Sequence, residues 1–277
     1  MGSWFAKFLK SNGYKVVISD RNRQAGRTAS KRLGIEFVDD YVLASKGSDI
    51  VLLATPTNVS NQILVQLGRE LEKRTLVVEI SSMKDPVREG ISALRKGGIP
   101  VLSLHPMFGP GTKTVQGRAI LVVSKTRHCE AKKLLSTLQE LGARVVQCSI
   151  NKHDTLASLV IALPHLVNIS LIELLRSSRI SLNELNMVSG TTFRLQSLIA
   201  ETIYQEDCAN EISILVNSKS SVLKAYKRRV GILLDVILTQ PERVSSILNS
   251  GRRFVEADRH FADSYERFNA AVQAALG

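Results

Sequence analysis

The sequence predicts an α/β chain in which a doubly wound parallel sheet is joined, near residue 150, to an all-helical half. Two observations carry this. Up to about residue 150, short apolar runs alternate with amphipathic stretches, the pattern of parallel strands covered by helices on both faces. Beyond that point the strand-like runs stop and long segments of helical period take over. At 277 residues the chain has room for two cores, and the expected domains are 1–150 and 151–277.

The elements follow in order. WFAKFLKSNG reads as a helix, and YKVVISD (14–20), DIVLLAT (49–55), TLVVEIS (75–81), IPVLSLH (99–105) and AILVVS (119–124) read as strands rich in Val, Ile and Leu. NRQAGRTASKRLG and NVSNQILVQLGRELEK have helical spacing between them. After residue 150 come TLASLVIALPHLVNISLIELLR, GTTFRLQSLIAETIY and two long apolar-striped helices over 211–238 and 242–276.

In a dinucleotide-binding βαβ unit, a first strand leads through G-x-G-x-x-G into a helix whose N-terminus receives the pyrophosphate. The second strand then ends in an acid that holds the ribose. Here the chain opens on the helix and second strand of that unit. Gly2 stands where the third glycine belongs and Asp20 where the ribose acid belongs. The preceding strand and the first two glycines are not in the sequence, so the reading is a Rossmann-like sheet lacking its first strand. That loss predicts unpaired ladder groups on the neighbouring strands, weakened cofactor binding and poor solubility. Gly2, Asp20, Arg21, Thr55 and Pro56 are the cofactor-binding candidates. The acid favours NAD, while Arg21 and Arg23 could accept the 2′-phosphate of NADP.

Composition narrows the remaining classes. The net charge of +12 suits anionic small molecules, but aromatics are only 5 % and do not interleave with basic clusters, so nucleic acid is not the expected partner. No apolar run approaches the roughly 20 residues of a membrane span. Cys129, Cys148 and Cys208 are odd in number and far apart, which points to a reduced, cytoplasmic compartment. No HExxH, CxxC or paired His/carboxylate spacing suggests a metal.

One stretch concentrates the chemistry. In SLHPMFGPGTK (103–113), His105 ends an apolar strand and is followed by a turn with two prolines and two glycines. The carboxyl end of a strand is where open α/β sheets bind ligands, and a neutral imidazole suits a base near pH 7. His128 and His260 read as surface groups, and His153 as a helix-start and domain-junction residue.

Taken in order, SSMKDP (81–86), SLHPMFGPG (103–111), HDTLASLVIALPHLVN (153–168) and TTFRLQSLIAETIYQED (191–207) resemble the prephenate dehydrogenase family. The likeness is greatest to the form found in archaea and in bifunctional chorismate mutase–prephenate dehydrogenases. The resemblance implies oxidative decarboxylation of prephenate to 4-hydroxyphenylpyruvate with hydride transfer to NAD, on a helical half that dimerises. It implies His105 as the catalytic histidine and Ser82 as the serine that hydrogen-bonds it. Arg194, His165 and Lys84 are the substrate-binding candidates. Ser82 also reads as an N-cap, and Arg194 as a partner of Glu201 or Glu211. Many family members carry an arginine four or eight residues beyond the Arg194 position; here Leu198 and Thr202 stand there. That departure keeps arogenate in view as the substrate. A non-catalytic dimer that has lost cofactor binding is the reading from another class.

Overall fold

The computed structural model describes residues 1–124, 126–205 and 208–276. They divide into two compact units: Met1–Ala157 with Ile212–Asn217, and Ser158–Glu211 with Ser218–Gly277.

The first unit runs α1 (Gly2–Ser11), β1 (Val17–Ile18), α2 (Arg23–Leu33), β2 (Glu36–Phe37), α3 (Tyr41–Ser45), β3 (Ile50–Leu53), α4 (Thr57–Glu70), β4 (Leu76–Glu79), α5 (Arg88–Lys96), β5 (Val101–Pro106), β6 (Ala119–Ser124), α6 (Cys129–Glu140), β7 (Arg144–Gln147) and α7 (Ile150–Ala157). The strands β2 and β7 escape the sequence reading because each is short and carries charge. The ladder is in two pieces. β1 pairs only with β2, while β3-β4-β5-β6-β7 form a separate five-stranded sheet. Among the described residues, β1 and β3 are therefore edge strands with no hydrogen-bonded neighbour on one side.

The sheet also departs from the all-parallel arrangement that the sequence predicts, because β6 runs antiparallel to β5. Residues 107–118, which join them, contain no helix, and without a crossover element the chain can only return antiparallel.

Strand alternation sorts the core into two faces. Leu76 and Val78 of β4, Leu102 and Leu104 of β5, and Ile120 and Val122 of β6 pack with Phe5 and Leu9 of α1 and Leu134 and Leu138 of α6. On the other face, Val77 and Val101 pack with Leu64 of α4 and Ile91 and Leu94 of α5. A Cβ on Gly90 would meet Leu64 Cβ at 2.6 Å, so glycine is what allows α5 to lie this close to α4. Helix α1 also holds the loop after β5. Trp4 Nε1 donates to the Thr112 carbonyl at 2.9 Å, and its ring lies 5.0 Å from Phe108.

The second unit is helical. A π-helical turn (Ser158–Ala162) leads to α8 (Leu163–Ser177), α9 (Leu182–Val188) and α10 (Thr191–Gln205). After α11 (Cys208–Val216) come α12 (Ser220–Thr239), α13 (Val244–Val255) and α14 (Ser264–Leu276). Against expectation, one run does have the length and apolar composition to cross a membrane. Ile150–Ser177 forms 28 helical residues, with α7, the π-helical turn and α8 contiguous in sequence. The same run carries His153, Asp154 and His165. On α12, Ile232, Leu233, Leu234, Ile237 and Leu238 are exposed.

Candidate active site

The alternation that buries Leu102 and Leu104 against α1 and α6 turns Val101, Ser103 and His105 to the opposite face. Glu79 closes β4 in register with Ser103. It is an acid at the end of a buried strand, and it is fully enclosed at 0 % exposure. Three donors satisfy it: the backbone N–H of Ser81 at 2.9 Å on Oε2, the Ser103 hydroxyl on Oε1, and the Lys84 ammonium at 2.7 Å, also on Oε1. Lys84 is likewise at 0 % exposure and gives a second bond, 2.6 Å long, to the Leu104 carbonyl. Burial pushes the Lys84 ammonium below its ordinary range, and the Glu79 carboxylate opposes that shift. The sequence reading of Lys84 as a loop lysine reaching substrate or cofactor thus meets a core ion pair instead.

His105, 4 % exposed, sits next to that pair. Its Nδ1 is 2.9 Å from Nε2 of His153, and His153 Nδ1 is 2.7 Å from Asp154 Oδ1. The same Oδ1 accepts the Lys84 backbone N–H at 2.9 Å, and Oδ2 accepts that of Asp85 at 2.8 Å. Burial works to raise the Asp154 carboxyl, but the His153 bond and these two backbone donors outweigh it and hold the group below the usual carboxylate range. Burial, then the Lys84 cation and the neighbouring His153, push His105 well below 6.5. The His105 ring is therefore neutral near pH 7. Its Nε2 has no hydrogen-bond partner among the described residues, and only His128 Nδ1 among them is buried without one. So Nε2 is unpartnered and keeps contact with solvent.

Ser82 is half-buried and makes no side-chain hydrogen bond among the described residues. The Ser82–His105 bond implied by the resemblance is absent, its place at Nδ1 being taken by His153. Nor is Ser82 the N-cap of the following turn, since Asp154 supplies the acceptors for Lys84 and Asp85. His128 is not a free surface group: its Nε2 bonds the Arg74 carbonyl at 2.8 Å.

Of the nucleotide candidates, Asp20 lines a hollow beside α1 and α2, while Gly2, Arg21, Thr55 and Pro56 are not among its lining residues. The hollow, of about 510 Å³, is lined by Ser3, Asp20, Asn22, Gln24, Ala25, Thr28, Ala29 and Arg32. Ser3 in the first turn of α1 and Asp20, two residues after β1, thus face one space, as a dinucleotide site requires. Asp20 is exposed, with Oδ1 accepting the Asn22 N–H at 2.8 Å. Arg23 turns away to Asp39 at 3.2 Å, while Arg21 is exposed with no ion-pair partner among the described residues. A Cβ on Gly2 would meet Ala54 Cβ at 3.5 Å, an ordinary contact, so nothing in the chain itself demands glycine there. The Thr55 hydroxyl shares a 2.9 Å bond with Ser60, and Pro56 opens α4.

In the second unit, His165 Nδ1 lies 2.5 Å from Glu211 Oε2. Glu201 accepts from Ser197 at 2.9 Å. Arg194 is exposed and pairs with neither acid, contrary to the ion-pair alternative.

The model for the prephenate dehydrogenase nucleotide-binding domain matches residues 5–147, and that for the prephenate dehydrogenase dimerization domain matches residues 149–230. The chain belongs to the prephenate dehydrogenase family. Among its relatives, the probable arogenate/prephenate dehydrogenase of Methanocaldococcus jannaschii is 26 % identical over 277 residues, covering 96 % of this chain and 60 % of the relative. The T-protein of Enterobacter agglomerans is 26 % identical over 271 residues, covering 97 % of this chain and 66 % of the relative. The chain thus spans about 60 % of the length of the first of these. In fold it is similar to the crystal structure of prephenate dehydrogenase from A. aeolicus in complex with hydroxyphenyl propionate and NAD+. The TM-score is 0.72 at 22 % identity, covering 93 % of this chain and 95 % of that one.

Within this family frame, the residues that sequence reasoning missed are Glu79, His153 and Asp154. Glu79 was visible as the one charge in TLVVEIS, and the HD pair of residues 153–154 was visible as two polar groups opening an apolar helix. Neither signal says which strand end the groups will reach.

Proposed function

We propose that the chain is a prephenate dehydrogenase acting with NAD, and that His105 is its base. The observation that supports this most is a buried neutral imidazole at the carboxyl end of β5, held at Nδ1 and unpartnered at Nε2. The substrate hydroxyl would give its proton to His105 Nε2 as the C–O bond gains double-bond character and the ring carbon loses its hydride. CO2 then departs and the ring becomes aromatic. NAD, when bound, supplies the hydride acceptor. Gly2, Asp20, Arg21, Thr55 and Pro56 would hold it, Asp20 through the ribose hydroxyls; Arg23, engaged with Asp39, is less available to a 2′-phosphate, which favours NAD over NADP. Arg194, exposed and with no ion-pair partner among the described residues, would take a substrate carboxylate, with His165 oriented by Glu211 as a second donor. Ser82 would bond the substrate hydroxyl. The exposed apolar residues of α12 and the match to a dimerization domain support a homodimer, in a reducing cytoplasmic compartment that suits three free thiols. Arogenate is the second reading, because Leu198 and Thr202 leave the substrate side chain with fewer cations than many family members offer.

Purified chain given prephenate or arogenate, each with NAD or NADP, should form NADH fastest with prephenate and NAD. Turnover of arogenate alone would move the assignment to that substrate, and turnover of neither would end it. Asp20→Ala should raise the KM for NAD roughly ten- to a hundredfold, the worth of hydrogen bonds to a charged group, with kcat within about twofold. An unchanged KM would remove Asp20 from the cofactor site.

A further inference from the structure

We infer that His153 and Asp154 are positioning residues that act through His105, keeping its proton on Nδ1 so that Nε2 faces the substrate bare. This rests on the reading of His105 as the base. Asp154 is the fixed point, its carboxylate pinned by two backbone donors, Lys84 N–H at 2.9 Å and Asp85 N–H at 2.8 Å. It cannot turn away from His153 without orphaning them. At 2.7 Å from that carboxylate, His153 Nδ1 must carry a hydrogen, because two acceptors at this distance repel.

His153 then has one nitrogen left, Nε2, and it faces His105 Nδ1 at 2.9 Å. One of the two must donate. A second proton on His153 would place an imidazolium at 0 % exposure. Its counter-ion already shares its charge with two backbone donors. A neutral His153, accepting at Nε2, avoids that cost. The hydrogen between the rings therefore belongs to His105 Nδ1, and the lone pair of His105 Nε2 is free. When Nε2 takes the substrate proton, the new cation donates through Nδ1 to a ring that is itself bonded to a carboxylate. Two residues that need touch no substrate thus set both the direction and the strength of the base.

The test is side-chain nitrogen NMR on the 15N-labelled chain without substrate, where the resonances of the 5 histidines separate protonated from bare ring nitrogens. His105 should show a protonated Nδ1 and a bare Nε2. Observation of the reverse in the native protein overturns the inference, whatever any variant does. In His153→Phe the acceptor is gone, so His105 should move its proton to Nε2 and kcat should fall about 10²-fold, the scale of general-base catalysis. The KM for NAD should stay within about twofold. His153→Gln, whose carbonyl can accept from Nδ1, should recover a tenfold share of that loss. A His153→Phe protein that keeps both the tautomer and kcat also refutes the inference. If the native chain turns over neither prephenate nor arogenate, the activity assigned above falls, and the spectrum alone still decides the tautomer.

Discussion

His105→Asn should lower kcat by about 10²–10⁴-fold, the range for loss of a general base, equivalent to about 3–5 kcal/mol of barrier at 1.36 kcal/mol per tenfold. Asparagine is chosen because its amide N–H can still donate to His153 Nε2, which otherwise would be left buried and unpaired. The variant therefore removes the basic nitrogen while keeping the bond that organises the strand end. NAD titration should give an affinity within about twofold of the native protein, since the nucleotide hollow is lined from α1, the loop after β1 and α2 and not from β5. The pH dependence follows from the His105 shift. The folded ring titrates well below 6.5, so the acid limb of kcat/KM should lie below 6.5 and activity should persist into mildly acidic buffer. Stability has a matching sign. Above about pH 6.5 neither the folded nor the unfolded chain protonates this ring, and it contributes no pH dependence. Below that value the unfolded chain takes up the proton while the folded chain refuses it, so stability falls as pH drops. His105→Asn should flatten that fall. A kcat within tenfold of native would show that His105 is not the base.

The parts of this site that were legible in the sequence are those set by local pattern. Continuous apolar runs rich in Val, Ile and Leu marked β3, β4, β5 and β6, and the position of His105 at the end of IPVLSLH placed it at the carboxyl end of β5. Two things were not legible, each for a physical reason. The direction of β6 depends on whether residues 107–118 contain a crossover element, and the apolar run AILVVS reads the same in a parallel or an antiparallel strand. The partners of His105 depend on where α7 docks. His153 is 48 residues away in sequence, and it reaches the ring only because Asp154 caps the turn at Lys84 and Asp85. Capping is usually a local act, with the cap within three residues of its donors; here the cap comes from 70 residues away, and no spacing rule finds it. Lys84 was misjudged for a related reason. A lysine in a loop is normally solvated, and its burial becomes intelligible only once Glu79 is known to lie beneath it, an acid that alternation turns inward from β4.

Lys84→Met should destabilise the first unit by about 3–5 kcal/mol, because it leaves the Glu79 carboxylate charged and without its cation in a site at 0 % exposure. For a unit of this size, that corresponds to a fall in Tm on the order of 10 °C. The loss should be mostly reversible by a second change. In the Glu79→Gln, Lys84→Met double variant no charge remains to be desolvated, and the carbonyl of the introduced amide can still accept from Ser81 or Ser103. Stability should return to within about 1–2 kcal/mol of native, since replacing both members of a buried pair is far cheaper than removing one. The double variant also separates structure from electrostatics at His105. The Lys84 cation is one of the forces that keep that ring neutral, so in a protein that again folds well the acid limb of kcat/KM should move up toward 6.5. Thermal unfolding and a pH–rate profile on the same preparations decide both points. If Lys84→Met unfolds within about 1 kcal/mol of the native chain, the pair is not held as a charged contact; if the limb stays put in the double variant, the neutrality of His105 comes from burial without help from Lys84.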